Sequence, residues 1–176
     1  MTNEIIQYAL ENQELKLTSK EKRKHYEVLF FLLLFPAMLI FYILTTSEKT
    51  SSSITYGIII LVIAALILFG VYKLQQRKLR FKSIATSLKR KALLKIIKKV
   101  GKELEWDIET IEKNHVIART HPGFSSGSWG EQITIIFGES QVLVNSICDL
   151  KKQTSLVSMG RNKKNMELLI MAIEVG

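Results

Sequence analysis

Two long apolar runs dominate the first half of the chain. The first covers residues 28–47 and the second covers 50–72, and neither contains a charged residue. A helix needs about 20 residues to cross a hydrocarbon core about 30 Å thick, and a single segment satisfies its own backbone there only as a helix. The pattern therefore predicts two transmembrane helices, over 27–47 and 54–73, joined by a short external loop at 48–53.

Two other interpretations of these runs fit the sequence less well. A chain of 176 residues is too short to bury two helices that are apolar on every side. A cleaved signal peptide is disfavoured for the first run, because the run is too long and no small-residue cleavage site follows it.

The positive charges beside the runs predict the orientation of the hairpin. Basic residues near the ends of a span favour the cytoplasmic side. Five of them precede the first run and many follow the second, whereas the connecting loop contains only Lys49. Both termini are therefore predicted to be cytoplasmic, with residues 1–26 as a cytoplasmic segment. Tyr26 and Tyr72 would then lie at the inner interface, where rings with a polar tip are favoured.

After the second run, the apolar positions take up a helical period. Leu93, Ile97 and Val100 recur at spacings of three and four residues, and lysines fill much of the remaining surface. The same stripe can be followed upstream to Ile84. The pattern predicts one basic amphipathic helix over 74–104.

The last part of the chain, 105–176, alternates between strand and helix patterns. The predicted bounds are 115–120, 131–137 and 141–148 for three strands, and about 162–174 for a closing helix. With the preceding helix the order is α-β-β-β-α, which predicts a small cytoplasmic α+β domain with an antiparallel sheet. The segment at Trp106 is open to two interpretations, as a further short strand or as a turn.

The net charge of +9 is concentrated in one block. Residues 73–102 carry twelve Lys and Arg and no acidic residue, whereas 103–176 carry more acidic than basic residues. An anionic inner leaflet attracts each basic residue beside a span by about 1 kcal/mol. The predicted lipid contacts are Lys73, Arg77, Lys78, Arg80, Lys82, Lys95, Lys98, Lys99 and Lys102. Nucleic acid is not an expected partner, because no helix-turn-helix pattern and no aromatic RNA-binding strand accompanies the charge.

The end of the chain resembles a group of bacterial proteins. A strand that ends in NSICD at 145–149, a polar Ser/Thr loop and the sequence GRNKKN at 160–165 are similar to conserved inner-membrane proteins of uncharacterised function. Those proteins carry a small α/β cytoplasmic domain after two transmembrane helices, and the resemblance covers about 106–173. It implies a location in the bacterial inner membrane, and it implies no catalytic residue.

Side chains that could act as nucleophiles, bases or metal ligands occur near the ends of the predicted strands, at Cys148, Asp149, His115 and His121. A thiol nucleophile needs a base and an orienting group of this kind, but cysteine is also among the residues most often buried. The histidine spacing matches no familiar metal site. We therefore expect no catalytic residue, no metal and no cofactor.

The Gly- and Ser-rich loop after the first predicted strand is the better candidate for binding. It holds two large aromatic residues, and such loops often serve recognition, although the aromatics could instead cover the end of the core. Two further polar residues begin the closing helix, where they could cap it or hold an anion. The predicted contacts to a ligand or partner are His121, Phe124, Trp129, Arg161 and Asn162.

These observations favour a non-enzymatic protein. The preferred hypothesis is an inner-membrane accessory or scaffold protein whose cytoplasmic domain binds a protein partner or a small ligand, or forms a homo-oligomer. The alternative is a membrane effector, in stress or phage defence, whose hairpins oligomerise and permeabilise the membrane. A membrane-tethered enzyme is the least favoured hypothesis.

Overall fold

The computed structural model describes residues 1–45, 51–121, 128–152, 158 and 160–176. The helices are α1 (Asn3–Asn12), α2 (Ser19–Thr45), α3 (Ser51–Lys78), α4 (Arg90–Glu103) and α5 (Arg161–Val175). The strands are β1 (Lys82–Ala85), β2 (Trp106–Ile111), β3 (His115–Thr120), β4 (Glu131–Phe137) and β5 (Gln141–Cys148).

The two apolar runs form a hairpin of long helices, α2 and α3. Helix α2 begins with a capping box, since the backbone N–H of Thr18 donates to Glu21 at 2.9 Å and the N–H of Glu21 donates to the Thr18 hydroxyl at 3.4 Å. Both helices are long and apolar enough to cross a membrane, and only 6% of the apolar window in each is buried. Of the predicted external loop at 48–53, residues 48–50 lie outside the described residues, and residues 51–53 belong to α3.

The strands form one antiparallel sheet in the order β1-β5-β4-β3-β2. Strands β3, β4 and β5 have the bounds that the sequence predicts. Helices α4 and α5 cover one face, where Leu93, Ile97 and Leu169 pack on Ile133 and Ile135. The other face packs against α1 and the chain on either side of the hairpin. Its core consists of Ile6, Ala9, Leu15, Leu79, Phe81, Ile136, Leu143 and Ile147.

The prediction of a single helix over 74–104 is wrong. Helix α3 continues to Lys78, strand β1 follows, and a new helix begins at Arg90. Ile84 is buried as the inward residue of β1, opposite Val142 of β5, while its strand neighbours are exposed. Pairing with the edge of β5 and burial of Ile84 outweigh the helical spacing, because both satisfy the backbone and the side chain at once.

The sheet is therefore larger than predicted. It has five strands instead of three, since β1 lies within the basic block and the segment at Trp106 forms β2. The domain also includes part of the segment 1–26, because α1 supplies Ile6 and Ala9 to the second core. The three predicted strands, β3, β4 and β5, are the three central strands of this sheet.

The end of α3 joins the hairpin firmly to the sheet. The last carbonyls of a helix have no partner within it. Here the side-chain amide of Asn145 donates to the carbonyls of Lys78 and Arg80, at 2.8 and 2.9 Å. The ring Nε2 of His25 donates to the carbonyl of Gln75 at 2.9 Å. Strand β5 and helix α2 thus hold the end of α3 directly.

Candidate functional site

Polar side chains gather at one end of the sheet, where β3 and β5 end and β4 and α5 begin. Glu131 is paired with Cys148, and the N–H of Asp149 donates to the carbonyl of Gly130 at 2.9 Å. We call this region the polar end and define it by Thr120, Ser128, Glu131, Ser146, Cys148, Arg161 and Asn162.

Glu131 is the centre of the polar end and is fully buried. The hydroxyls of Thr120 and Ser128 each donate to one of its carboxylate oxygens. The guanidinium Nε of Arg161 lies 3.2 Å from Oε2. A buried carboxylate is costly unless it is paired and hydrogen-bonded. The pairing of buried Glu131 with Arg161 therefore fixes the start of α5 against this end of the sheet.

A second set of hydrogen bonds attaches the first turns of α5 to the sheet. The hydroxyl of Ser146 donates to Oδ1 of Asn162 at 2.9 Å. The amide of Asn162 lies 3.9 Å from the sulfur of Cys148, and the indole N–H of Trp106 donates to Asn165 at 3.3 Å. Asn162 and Asn165 therefore bind the sheet instead of capping their own helix.

An open cleft of about 290 Å³ adjoins the polar end, between the end of α4 and the start of α5. Side chains of both charge signs line it: Glu103, Leu104, Glu105, Arg161, Lys164 and Asn165. Glu105 has a φ of +55°, which ends α4 in a left-handed turn and places the chain on the rim. Arg161 is thus shared between Glu131 and the cleft, with 31% of its side chain exposed.

The opposite face of the same end holds a buried ion-pair network around Arg119. Its Nε lies 2.7 Å from Glu109, its Nη1 contacts Asp149, and its Nη2 donates to Gln132 at 3.0 Å. The β2–β3 ladder skips Glu109 between Ile108 and Thr110. Such a bulge re-aims a side chain. The hydrogen bond from Arg119 lowers the pKa of Glu109. Because Arg119 lies on β3 and binds Glu109 of β2 and Gln132 of β4, the network joins these three strands as a structural unit.

The structure does not bring His115 to Cys148 and Asp149. Burial raises the pKa of Cys148, whereas a reactive cysteine needs a lowered pKa. His115 pairs with Ile136 at the other end of β4, five residues from Glu131, which is about 17 Å at roughly 3.3 Å per residue. Asp149 is bound to Arg119 instead. Within the described ranges, no group of three His, Cys, Asp or Glu could hold a metal ion.

The structure brings four of the five predicted contact residues to the same end. Arg161 donates to the carbonyl of His121 at 3.3 Å, and Asn162 binds Ser146. Trp129 precedes Gly130 and is 51% exposed. Phe124 lies outside the described residues. Trp129, the loop aromatic that the structure describes, is half exposed and does not cover the end of the core.

Sequence reasoning missed Glu131, the most buried acidic residue of the site. A signal for it was present, because Glu131 alternates with Ile133 and Ile135 and so had to face the same side as those two core residues. A carboxylate on the apolar face of a strand predicts a buried partner. The partner itself, Arg161, comes from a position 30 residues later in the sequence, which no local pattern reveals.

The predicted lipid contacts are distributed over three elements instead of one helix. Lys73, Arg77 and Lys78 belong to the end of α3, and Arg80 and Lys82 lie at or beside β1. The remaining four, Lys95, Lys98, Lys99 and Lys102, are exposed on α4. Helix α4 begins near Phe137, 5.7 Å from the Arg90 guanidinium, and ends near Trp106 at the polar end.

Comparisons with protein-family models, with curated proteins and with solved structures gave no match for this chain.

Proposed function

We propose that the chain is a bacterial inner-membrane accessory or scaffold protein, whose cytoplasmic domain binds a protein partner or a small ligand at the polar end. Helices α2 and α3 would cross the membrane, with both termini in the cytoplasm. Their exposed apolar surface supports this, because a hairpin with apolar windows that are only 6% buried is favoured in an apolar environment.

The observation that carries the binding proposal is the shared Arg161. It is held by a fully buried carboxylate at one side and opens into the mixed-charge cleft at the other. A rigidly supported cation beside a second cation, Lys164, is suited to a carboxylate or phosphate group. Glu103 and Glu105 on the same cleft would pair with a positive group, so the cleft favours a ligand or peptide segment with both charges.

The cleft is small for a substrate site, since drug-sized pockets have volumes of about 300–1,000 Å³. Its size fits a metabolite-sized ligand or a few residues of a protein partner. The raised pKa of Cys148 and the distance from His115 to the polar end support a binding role over an enzymatic one.

Contact with anionic lipid is part of the same proposal. Lys73, Arg77 and Lys78 lie where α3 leaves the apolar run and would meet the headgroups directly. On α4, Lys102 lies in the last turn, near the polar end, whereas Lys95 lies farther along the helix toward its start. We expect Lys102 to contribute more than Lys95 to lipid binding.

The test is co-purification of the tagged full-length chain from native membranes in a mild detergent. Lys164→Glu reverses a charge inside the cleft without removing the partner of Glu131. Lys163→Glu is the matched control, because Lys163 is the neighbouring residue, is 74% exposed in its side chain and does not line this cleft.

The proposal predicts that a stoichiometric partner or bound small molecule is present with the wild type and with Lys163→Glu, and is lost with Lys164→Glu. Equal recovery with both variants would show that the cleft is not the binding site. A homo-oligomer with nothing else bound would favour the effector hypothesis, and conductance of the reconstituted chain would then be measured.

A further inference from the structure

The hairpin meets the sheet near the polar end but on the opposite face, where Asn145 of β5 donates to the carbonyls of Lys78 and Arg80. The ammonium group of Lys24 donates to the carbonyl of Lys152 at 2.9 Å. Lys24 is three residues before the predicted start of the first span at 27, which is about 4.5 Å along a helix. The segment after β5 therefore lies within one lysine side chain of the predicted inner boundary.

Trp129 is next to this segment. The carbonyl of Gly130 accepts the N–H of Asp149, and a Cβ at Gly130 would lie 3.1 Å from the ammonium nitrogen of Lys152. Gly130 has a φ of +118° and closely approaches the carbonyl of Thr120, which favours glycine there. The position of Trp129 is thus set by a constrained neighbour.

Trp129 is 51% exposed, and it is the one exposed aromatic residue among the described residues outside α2 and α3. Cations lie close to its neighbour Gly130: the Lys152 ammonium group approaches Gly130, Lys24 donates to the carbonyl of Lys152, and Lys151 is 70% exposed in its side chain. An exposed indole with lysines beside it suits the headgroup region of an anionic bilayer, where tryptophan is enriched and each cation gains about 1 kcal/mol.

We infer that Trp129 inserts into the anionic inner leaflet and seats the polar end of the domain against the membrane. This contact is separate from the two spans and from the lysines of the basic block. It rests on the proposed membrane insertion of α2 and α3. The sequence predicts a ligand or partner contact for Trp129, and in this inference the bilayer is what Trp129 contacts.

The test uses the full chain in vesicles of phosphatidylcholine and phosphatidylglycerol. The chain has two tryptophans, so Trp106→Phe leaves Trp129 as the only one. Because Trp106 is buried and hydrogen-bonded, the same signal is also obtained as the difference between the wild type and Trp129→Phe, which leaves the core intact.

Lipids brominated near the headgroup should quench Trp129 emission and leave Trp106 emission unchanged. Trp129 emission should also shift to the blue on reconstitution, with a smaller shift when the phosphatidylglycerol is omitted. The inference is overturned if the chain stays in the vesicles and Trp129 is quenched by aqueous acrylamide but not by brominated lipid. Release of the chain from the vesicles by alkaline carbonate would overturn the membrane insertion as well, and with it the proposed function.

Discussion

The two ends of the sheet differ in what they bury. At the end where β4 finishes and β5 begins, the buried residues are Ile135, Ile136, Val142 and Leu143, and one buried polar residue, His115, lies among them. At the other end of the sheet, the buried residues include Thr120, Glu131, Ser146 and Asp149. Burial of apolar side chains is favourable by itself, whereas buried charges only recover the cost of leaving water when they are paired.

This difference indicates that one end mainly stabilises the fold and the other mainly holds charged groups in place. The apolar end contributes to the free energy of unfolding with side chains that tolerate similar replacements. The polar end and the Arg119 network on its opposite face keep Arg119, Glu131 and Arg161 in fixed positions and gain little net stability from them. A site that must present a charge at a set position benefits from such an arrangement, because the supporting groups are held before a ligand arrives.

The largest effect should follow the loss of Arg119. Arg119→Met leaves Asp149, whose side chain is 1% exposed, as an uncompensated buried charge, and this should cost about 3–5 kcal/mol of the free energy of unfolding. Ile135→Val at the apolar end should cost about 0.5–1.5 kcal/mol. Urea unfolding in a mild detergent, followed by Trp106 emission in a Trp129→Phe background, measures both. Similar losses for the two variants would remove the distinction between the ends.

A smaller loss should follow Glu131→Gln. The amide cannot accept from both hydroxyls and pair with Arg161, so the variant should lose about 1.5–3 kcal/mol. The control is Glu112→Gln, because the Glu112 side chain is 59% exposed and exposed pairs contribute less than about 1 kcal/mol. The same urea titration compares them. A Glu131→Gln variant as stable as the control would mean that the carboxylate is not part of a paired buried unit.

The two ends should also respond to acid in different pH ranges. Burial lowers the pKa of His115 below 6.5. In the range between the folded and the unfolded pKa, the unfolded chain binds more protons, so His115 favours folding above about pH 6.5 and this stability is lost as the pH falls. The slope should reach at most about 1.4 kcal/mol per pH unit.

In the Arg119 network on the opposite face of the polar end, the hydrogen bond from Arg119 lowers the pKa of Glu109 below 4.5. Its contribution is present above about pH 4.5 and is lost only as the pH falls through the folded pKa. Unfolding midpoints measured from pH 7.5 to 3.5 should therefore fall in two ranges, and His115→Asn should remove the first. A His115→Asn variant that still loses stability between pH 6.5 and 5 would assign that range to other groups.

The smallest effect concerns the thiol at the polar end. Because burial raises the pKa of Cys148 and the thiolate is the nucleophile, iodoacetamide should alkylate the folded chain at pH 7 more slowly than the urea-unfolded chain. Free Cys in the unfolded chain serves as the internal reference. Faster alkylation in the folded state would indicate an activated thiol and would reopen the enzymatic hypothesis.

The sequence predicts the parts of this fold that depend on local pattern. The bounds of β3, β4 and β5 agree with the prediction, which for β4 rests on alternation before the turn at Gly138, and the helical hairpin follows from run length. Strand β1 is different, because Ile84 also fits the helical spacing of the residues after it, and only the distant edge of β5 decides its conformation. Local pattern cannot contain that information.

The candidate site follows the same rule. Arg161, Asn162 and His121 could be selected from residue type and position near loops. Their arrangement around Glu131 depends on the register of β4 with β5 and on where α5 meets the sheet. The network of Arg119 was not predicted, since it requires a bulge at Glu109 and a turn after Cys148 to converge on one guanidinium.

The proposed function depends above all on the α+β domain lying on the cytoplasmic side of the membrane. The proposed lipid contacts, the partner and the insertion of Trp129 all require that side. Fusions of a cytoplasm-active and a periplasm-active reporter after residue 176 measure it in cells. We predict activity only from the cytoplasmic reporter. Activity from the periplasmic reporter would contradict the orientation and, with it, the proposed function of the polar end.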